Sequence, residues 1–443
     1  MIVRWMGKNV TNIRGMNGKI IWIVLLFVAF TSWGQAPISS AFKLKWKADI
    51  GITCYRTNMI LKDGIIYLGS NGTDRNSLDD SKDGVHAIDA KTGKTMRRYG
   101  LPYLGDNDVA GIAISGDRLF FGTDNYAFLC FDLQSGKEVW KVATPYDVES
   151  APALADLNQD GTVDVVYTVE GNGIYARSGT DGLLIWLKDS VSAHGGNAAP
   201  KLVDLNGDGV QDVISSIRGL PNSDEIDGFK MLHYGDYHWA LDGKTGRVLW
   251  MVPSGAGIHN TPFIYREKGN MRIALMDCYG EFKVVDSLGT VMGVANFGYG
   301  YFNSPVMTAD QHVVLGNVSV DWRSELIEVE TESGIPYLSG AAESNYVKAE
   351  GPISATTIVA DVLGTGKQQL IGVTEQGILF IAETNGKEIK QYKLKKGAEA
   401  SVMVADIDRD GYLELLIAEL DGTLYCYATK SKGKVEYGCF GCK

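Results

Sequence analysis

Three nine-residue stretches carry oxygen-bearing side chains at alternating positions, around a glycine at position 6. They are residues 156–164, 204–212 and 406–414. Alternate residues of a tight loop converge on one point, and position 7 can add a backbone carbonyl. A hard cation that takes six to eight oxygens fits this pattern, so it predicts Ca²⁺ binding. The predicted ligands are Asp156, Asn158, Asp160, Thr162 and Asp164; Asp204, Asn206, Asp208, Val210 and Asp212; and Asp406, Asp408, Asp410, Tyr412 and Glu414.

The charges of these loops favour a bound ion over a bare, solvated turn, which is the alternative interpretation. Two carboxylates ~4 Å apart repel by about 4 kcal/mol at a surface-like dielectric constant. An EF-hand is excluded because the twelfth residues are Tyr167, Ser215 and Ile417 instead of glutamate. The loops resemble the FG-GAP-type calcium loops of integrin-like propellers, in which we expect the ion to be structural. A degraded fourth copy begins at Asp361 and lacks ligands at positions 3 and 9, so we expect it to bind no ion.

A second group of polar residues stands immediately before strand-like segments. Placed around an axis, these residues would ring the mouth of a central channel, on the face opposite to the calcium loops. Mixed acidic, amide and imidazole groups suit a polar ligand such as a carbohydrate or a peptide, although ordinary lining of a water-filled channel is equally compatible. The candidates are Arg56, Asn107, Asp108, Glu149, Asn197, His259, Asn260, Asn303 and Glu399, with His194, His233 and His238 in adjoining loops.

The elements that position these groups form a repeat. A strand, a glycine-containing turn and a second strand recur at 85–96, 129–140, 174–186, 238–250, 282–292, 379–389 and 424–437, with a divergent copy in 318–340. Alternating apolar segments precede each copy, which predicts four antiparallel strands per unit. Units of this size predict an all-β, eight-bladed propeller. The predicted blades span 52–101, 108–145, 149–189, 197–253, 260–297, 303–345, 353–394 and 400–437. We expect residues 44–51 to pair with the last blade and close the ring, unless 434–438 take that place.

Two copies of the repeat resemble a known family. Residues 240–250 (ALDGKTGRVLW) are similar to the A-x-D-x-x-T-G-x-x-x-W docking motif of PQQ-like, quinoprotein-type propeller repeats, and residues 132–140 (DLQSGKEVW) are a close second copy. The resemblance implies that each tryptophan packs between neighbouring blades above a tight turn. It implies either a dehydrogenase or a non-catalytic scaffold, because the family includes both. The adjacent cysteine pair typical of its dehydrogenases is absent from the sequence.

Charge and patterning indicate export. The net charge of −11 disfavours nucleic acid as a partner. The apolar run 20–30 is too short to cross a bilayer and follows Lys19, which is typical of a secretory signal. We therefore predict a signal and extension over residues 1–35, with Met1 or Met16 as the start. A single propeller domain over 36–443 follows, with no stable membrane span after cleavage. An uncleaved anchor is the alternative.

Six cysteines are compatible with that compartment. Cys130 and Cys426 lie mid-strand at equivalent repeat positions, where we expect small buried residues. Cys439 and Cys442 form a lone C-x-x-C, for which a local disulfide or two idle thiols is the expected state.

Together these features favour a non-catalytic, calcium-binding module, secreted to the periplasm or cell surface. We expect it to act as a scaffold for an extracellular or periplasmic protein or carbohydrate. No catalytic set can be named from the sequence. The enzymatic alternatives are a polysaccharide lyase or hydrolase on the loop-rich face, or a PQQ-dependent dehydrogenase.

Overall fold

The structure, a computed structural model, describes residues 35–440 apart from short segments. Those segments are 74–80, 102–104, 190, 193–197, 218–219, 222–224, 231–235, 255–259, 279, 297–302, 308–312, 317–322, 330, 333–334, 337–345 and 385–388. The described residues form β-strands and one short 3₁₀ turn, Ile38–Ser40, with no α-helix among them. The described residues contain no helix that could span a membrane. The predicted signal segment, up to residue 34, lies outside the described residues.

The strands form eight blades of four antiparallel strands; seven of the blades are separate sheets, and blade 7 gains one further strand at each edge. Blades 1 to 7 are built from the channel outwards in chain order, whereas the outermost strand of blade 8 comes from the N-terminal part of the chain. Among the residues whose side chains the structure describes, apolar groups of the strands are buried between neighbouring sheets. Blades 1 to 4 comprise Met59–Lys62, Ile65–Ser70, Gly84–Asp89 and Thr95–Tyr99; Ile112–Ser115, Arg118–Thr123, Ala127–Asp132 and Glu138–Ala143; Ala153–Ala155, Asp164–Val169, Gly173–Ser178 and Leu184–Lys188; and Lys201–Val203, Asp212–Ile217, Asp236–Leu241 and Val248–Ser254.

Blades 5 to 8 follow the same plan and complete the predicted eight-bladed propeller. They comprise Phe263–Glu267, Asn270–Met276, Glu281–Val285 and Val291–Asn296; Val306–Met307, Val313–Gly316, Arg323–Val329 and Tyr346–Glu350; Ile358–Ala360, Gln369–Val373, Ile378–Glu383 and Ile389–Lys393; and Met403–Ala405, Glu414–Glu419 and Thr423–Ala428 with Lys43–Asp49. Three two-stranded pairs decorate the loops: Val191–Ser192 with Leu220–Pro221, Glu225–Ile226 with Phe229–Lys230, and Thr331–Glu332 with Ile335–Pro336.

An N-terminal strand closes the ring. Lys43–Asp49 pairs antiparallel with Thr423–Ala428 as the outermost strand of blade 8, which confirms the expected closure. Ahead of it, Ala36–Pro37 pairs parallel with the outer strand of blade 7. Because residues 43 and 428 belong to one sheet, blade 8 joins the two ends of the propeller.

The C-terminal strand Val435–Tyr437 lies on the channel side of the ring. It pairs antiparallel with Ile358–Ala360, the innermost strand of blade 7. Gly438 follows and accepts a hydrogen bond from the backbone N–H of Val404, 2.8 Å away, in the inner strand of blade 8. The alternative placement of 434–438 as the outer strand of the last blade is therefore wrong, because Lys43–Asp49 already fills that edge.

Tryptophans of the outer strands dock each blade onto the next. Each indole N–H donates to a backbone carbonyl in the neighbouring blade's turn: Trp46 to Ala90 (2.9 Å), Trp140 to Gly179 (3.0 Å), Trp186 to Gly243 (2.7 Å) and Trp250 to Ser287 (3.1 Å). The ring covers a glycine with positive φ, where a Cβ would lie 2.6–2.9 Å from ring atoms. Between blades 1 and 2 the guanidinium of Arg97 takes the place of the indole, beside the carbonyl oxygen of Gln134 at 3.4 Å.

Candidate functional site

The predicted calcium loops share one backbone conformation. Each joins the inner strand to the second strand of its blade: blade 3, blade 4 and blade 8. Position 4 has a left-handed φ in all three, as does the glycine at position 6. Gly364 and Gly366 give the degraded loop at 361–369 of blade 7 the same pair of left-handed residues. The four loops are therefore structurally equivalent, whatever their ligands.

In the first loop, carboxylates organise the backbone and leave an oxygen to spare. Asp156 accepts hydrogen bonds from the backbone N–H groups of Asp160 and Gly161 at 3.1 and 3.0 Å. Oδ2 of the buried Asp164 accepts from the backbone of Leu157 at 2.9 Å, while its Oδ1 has no hydrogen-bond partner. Burial raises the pKa of Asp164. A buried carboxylate oxygen without a partner suits a cation.

The second loop repeats this arrangement with one difference. Asp204 accepts from the backbone N–H of Gly209 at 3.0 Å, as Asp156 does at the equivalent position. The carboxylate of Asp212 accepts from the backbone of Leu205 at 2.8 Å through Oδ2, and from Gly243 at 2.9 Å through Oδ1. Here the position 9 carboxylate also ties the loop to the docking turn of its own blade.

The third loop differs because a lysine bridges two of its ligand positions, whereas in the second loop Lys244 contacts a single carboxylate, that of Asp208, at 2.9 Å. The ammonium of Lys45 lies 2.7 Å from Oδ2 of Asp408 and 2.9 Å from Oε1 of Glu414. Carboxylate oxygens of Asp406, Asp408 and Glu414 all lie within 4.8 Å of one another. This loop is the one whose ligand positions have converged on a cation, and that cation is a side chain of the N-terminal strand.

On the opposite face, carboxylates gather at the mouth of the central channel. They come from the loop between the middle strands of blades 1 and 2 and from the connections between blades 1, 2 and 3. We call this group the acidic mouth: Asp83, Asp106, Asp108, Asp124, Asp147 and Glu149. Sequence analysis identified Asp108 and Glu149 of this set and missed the other four. The alternation of Asp106 and Asp108 was a usable signal, whereas Asp124 lies in a short turn that gave none.

The carboxyl groups of the acidic mouth raise one another's pKa. Burial, then the neighbouring Asp106 and Asp83, raise the pKa of Asp108 to about 8. Burial, then Glu149 and other carboxylates, raise the pKa of Asp124 to about 9. Oδ1 of Asp108 and Oδ1 of Asp106 are buried without a hydrogen-bond partner. Such groups are costly to bury unless a cation or a proton neutralises them.

A guanidinium faces this group. Nη1 of Arg56 lies 2.7 Å from Oε2 of Glu149, so the structure brings these two predicted residues together. The guanidinium also lies over the ring of Tyr55, 4.5 Å from its centroid. The ring and the ion pair hold Arg56 in one orientation at the rim of the acidic mouth.

Other predicted ligand residues tie blades together. Asn260 donates to the backbone carbonyl of Asn303, and Asn303 donates to the carbonyl of Ile353 at 2.9 Å. Both asparagines are buried and link blades 5, 6 and 7. Glu399 is half-buried ahead of the inner strand of blade 8. These amides act as structural links between inner strands.

His238 does not lie in a loop, which corrects its predicted placement. It lies within the strand Asp236–Leu241, is 1% exposed, and pairs in register with Ser216. Its Nδ1 lies 2.7 Å from Oγ of Ser216, and burial lowers its pKa to about 3. It is a neutral core residue. The remaining candidates, His194, Asn197, His233 and His259, lie outside the described residues.

The cavity at the centre of the ring is lined mostly by apolar residues, together with Asn58 and Lys201. It has a volume of about 550 Å³ and is lined by the inner strands of blades 1 to 4 and 8, and by Cys439 and Phe440 of the C-terminal segment. Cys439 is in a disulfide, and Cys442 lies outside the described residues. Cys130 and Cys426 are free and buried in the third strands of their blades, as expected.

Comparison with curated proteins finds dehydrogenases. A quinoprotein ethanol dehydrogenase of Pseudomonas aeruginosa is 28% identical over 184 positions, covering 37% of this chain and 28% of that enzyme. A quinoprotein ethanol dehydrogenase of Pseudomonas putida is 30% identical over 155 positions, covering 31% and 23%. A 1-butanol dehydrogenase (quinone) of Thauera butanivorans is 28% identical over 155 positions, covering 31% of this chain and 23% of that enzyme. The match spans about a quarter of the length of each relative.

The repeats of this chain are similar to PQQ-like, quinoprotein-type repeats, which confirms the resemblance seen in the sequence. A family model described as an FG-GAP-like repeat matches residues 156–215, which hold the first two calcium loops. The solved structures share the β-propeller fold. A europium-containing methanol dehydrogenase has a TM-score of 0.64 at 13% identity, covering 88% of this chain and 94% of its own. Quinohemoprotein alcohol dehydrogenase from Comamonas testosteroni has a TM-score of 0.62 at 16% identity, covering 89% and 77%. BamB from Moraxella catarrhalis has 0.56 at 14%, covering 84% and 95%.

The prediction of a non-catalytic binding or scaffold module is wrong. The curated proteins that this chain matches are quinone-dependent dehydrogenases, so the sequence matches support the PQQ-dependent alternative better. The error has a physical cause. The docking tryptophan and its turn hold blades together in any such propeller, so the motif carries no information on the chemistry at the channel mouth.

Proposed function

We propose that this chain is a quinone-dependent dehydrogenase that oxidises an alcohol at the acidic mouth, with a bound metal cation. The observation that carries the proposal is a set of buried and half-buried carboxyl groups at the end of the channel, whose pKa values are raised by burial and by one another. It occurs on a propeller whose sequence relatives are quinoprotein dehydrogenases. The acidic mouth therefore supplies a place for a cation, and the relatives suggest its use.

The donor set of the mouth fits a hard cation. Carboxylate oxygens of Asp83, Asp106 and Asp108 lie within 4.8 Å of one another, so a single ion can contact all three. Asn71 donates to Oδ2 of Asp108 at 2.9 Å, which leaves Oδ1 available as a ligand. A divalent or trivalent ion with oxygen ligands is the chemical class that such a site selects.

A quinone that carries carboxylates of its own fits this mouth only if both the cation and Arg56 face it. Without them, the carboxylates of the acidic mouth repel such an anion. When bound, the quinone supplies the electron-accepting carbonyl that protein side chains lack. Arg56, fixed by Tyr55 and Glu149, offers a guanidinium to an anionic group.

We assign Asp124 as the base that accepts the hydroxyl proton of the alcohol. It is a half-buried carboxyl beside Asp108 and Glu149, and its backbone N–H donates to the carbonyl of Asp108 at 3.3 Å. A cation at the mouth lowers the pKa of a nearby carboxyl, so Asp124 becomes a carboxylate able to accept a hydroxyl proton. Without the cation it stays protonated at neutral pH and cannot act as a base.

The test is reconstitution of the purified chain. After chelation, Ca²⁺ or a lanthanide and PQQ are added, and alcohol-dependent reduction of an artificial electron acceptor is measured. Asp124→Asn is expected to lose activity while retaining quinone binding, and Asp108→Asn to lose metal-dependent quinone binding. Asp63→Asn, an exposed acid on the opposite face, is the matched control. Absence of metal-dependent quinone binding in the wild type refutes the proposal.

We also propose that the first two loops, 156–164 and 204–212, bind structural Ca²⁺. The FG-GAP-like match covers both, and the spare oxygen of Asp164 suits an ion. Loops of this kind bind well at the calcium concentrations outside the cell. This supports an extracytoplasmic location, which fractionation of the producing cells with a tagged chain tests directly.

A further inference from the structure

The third loop, 406–414, carries more negative charge than its two counterparts. Position 3 is Asp408 here, whereas it is Asn158 in the first loop and Asn206 in the second. Position 9 is also longer, since Glu414 replaces an aspartate. The third loop therefore holds four carboxylates where each of the others holds three.

The extra carboxylate meets an internal cation. Nζ of Lys45 lies 2.7 Å from Asp408 and 2.9 Å from Glu414, which occupy ligand positions 3 and 9. A third carboxylate, at Asp410, lies 3.9 Å from the same nitrogen. The side chain of Glu414 is 1% exposed and that of Asp408 is 10% exposed, so this contact is shielded from water.

Lys45 is held in place by its strand. It lies on Lys43–Asp49, beside a register shift between Leu44 and Trp46. The indole of Trp46 docks on Ala90 of blade 1 and is 8% exposed. The backbone around Lys45 is therefore fixed from both sides, and the lysine side chain is directed at the loop by the ring closure itself.

From these contacts we infer that the third loop holds no divalent ion, because the ammonium of Lys45 is its resident cation and clasps the closing strand to blade 8. A Ca²⁺ ion needs oxygens at about 2.3–2.6 Å. An ion bound to Asp408 and Glu414 would lie within a few Å of the ammonium on the same oxygens, and the two cations repel. The calcium binding proposed for the other two loops serves only as a contrast to this inference.

Calcium counting tests this inference. Bound Ca²⁺ per chain is measured by equilibrium dialysis for the wild type, Lys45→Met and Lys47→Met. Lys47 is exposed on the same strand and is the matched control. We expect Lys45→Met to bind one ion more than the wild type and Lys47→Met to bind the same number. An equal count in Lys45→Met and wild type overturns the inference.

A second measurement does not depend on the fold of that variant. Tyr412 is part of the third loop and would sensitise the luminescence of a Tb³⁺ ion bound there. In the wild-type background, Tyr412→Phe is expected to leave the Tb³⁺ signal unchanged, and a lost component overturns the inference. The proposed role of the first two loops is judged separately: Asp160→Ala with Asp208→Ala should lose two ions whatever the result at Lys45.

Discussion

Gly246 gives the sharpest test of how the blades are joined. Its φ is +69°, and a Cβ at this position would lie 2.8 Å from two atoms of the Trp186 ring. Alanine in the left-handed region costs about 1–2 kcal/mol. The displaced indole would also lose its hydrogen bond to Gly243 and part of its burial, for which ~2–3 kcal/mol is reasonable, given that removal of a buried tryptophan costs about 3–5 kcal/mol. We expect Gly246→Ala to destabilise the protein by about 3–5 kcal/mol.

Gly269 is the matched control, because it has a φ of +85° and a Cβ added there would meet no atom within 4 Å. Gly269→Ala should cost only the backbone strain of about 1–2 kcal/mol. Free energies of unfolding come from guanidinium titrations followed by tryptophan fluorescence and circular dichroism. In a protein that already carries Trp186→Ala, Gly246→Ala should cost only the backbone strain, because no indole remains to be displaced. This account of docking would be refuted if Gly246→Ala and Gly269→Ala lowered the free energy of unfolding equally. It would also be refuted if Gly246→Ala cost as much in the Trp186→Ala protein as in the wild type.

Three further predictions concern single groups. Trp186→Phe keeps most of the ring but loses the N–H donated to Gly243, so the denaturation midpoint should fall by the equivalent of about 1 kcal/mol; no change would show that the hydrogen bond is dispensable. EGTA should lower the melting temperature, and Asp160→Ala with Asp208→Ala should abolish that response; an unchanged wild type argues against bound calcium. In chelator, stability should fall as pH rises from about 4 to about 8, because folding raises the pKa of Asp108 from its ordinary value to about 8 and the folded state binds the extra proton. Asp108→Asn should flatten that pH dependence of the midpoint.

The blades were predictable because each repeat carries its own information. Strand alternation and a turn glycine recur within about fifty residues, so the ring follows from counting copies. The limit of blade 6 was misplaced: its last strand, Tyr346–Glu350, begins beyond the predicted end at 345. This copy is divergent in its turn, and, like blades 1, 5 and 7, it has no tryptophan in its outer strand. Local patterns thus define most blades and fail where a blade keeps its shape without the motif.

The candidate sites divide in the same way. The calcium loops were visible in the sequence because their ligands lie within nine consecutive residues. The acidic mouth was not, since Asp83, Asp124 and Asp147 come from separate loops that only the closed ring brings together. Lys45 in the third loop escaped for the same reason, because it lies 363 residues from Asp408 in the chain. His238 was misplaced because a histidine in a polar-looking stretch can equally be a buried strand residue.

The borrowed strand of blade 8 has a consequence for biosynthesis. As the chain leaves the ribosome, blades 1 to 7 can form in order, but Lys43–Asp49 has no partner until Thr423–Ala428 has been made. Until then the outer flank of blade 1 and the unpaired N-terminal strand stay exposed, a template for pairing with other chains. Contacts of such long sequence separation also form slowly. Efficient production of this protein should therefore depend on a holding chaperone or on slow, dilute refolding, and hardly at all on the intrinsic stability of the individual blades.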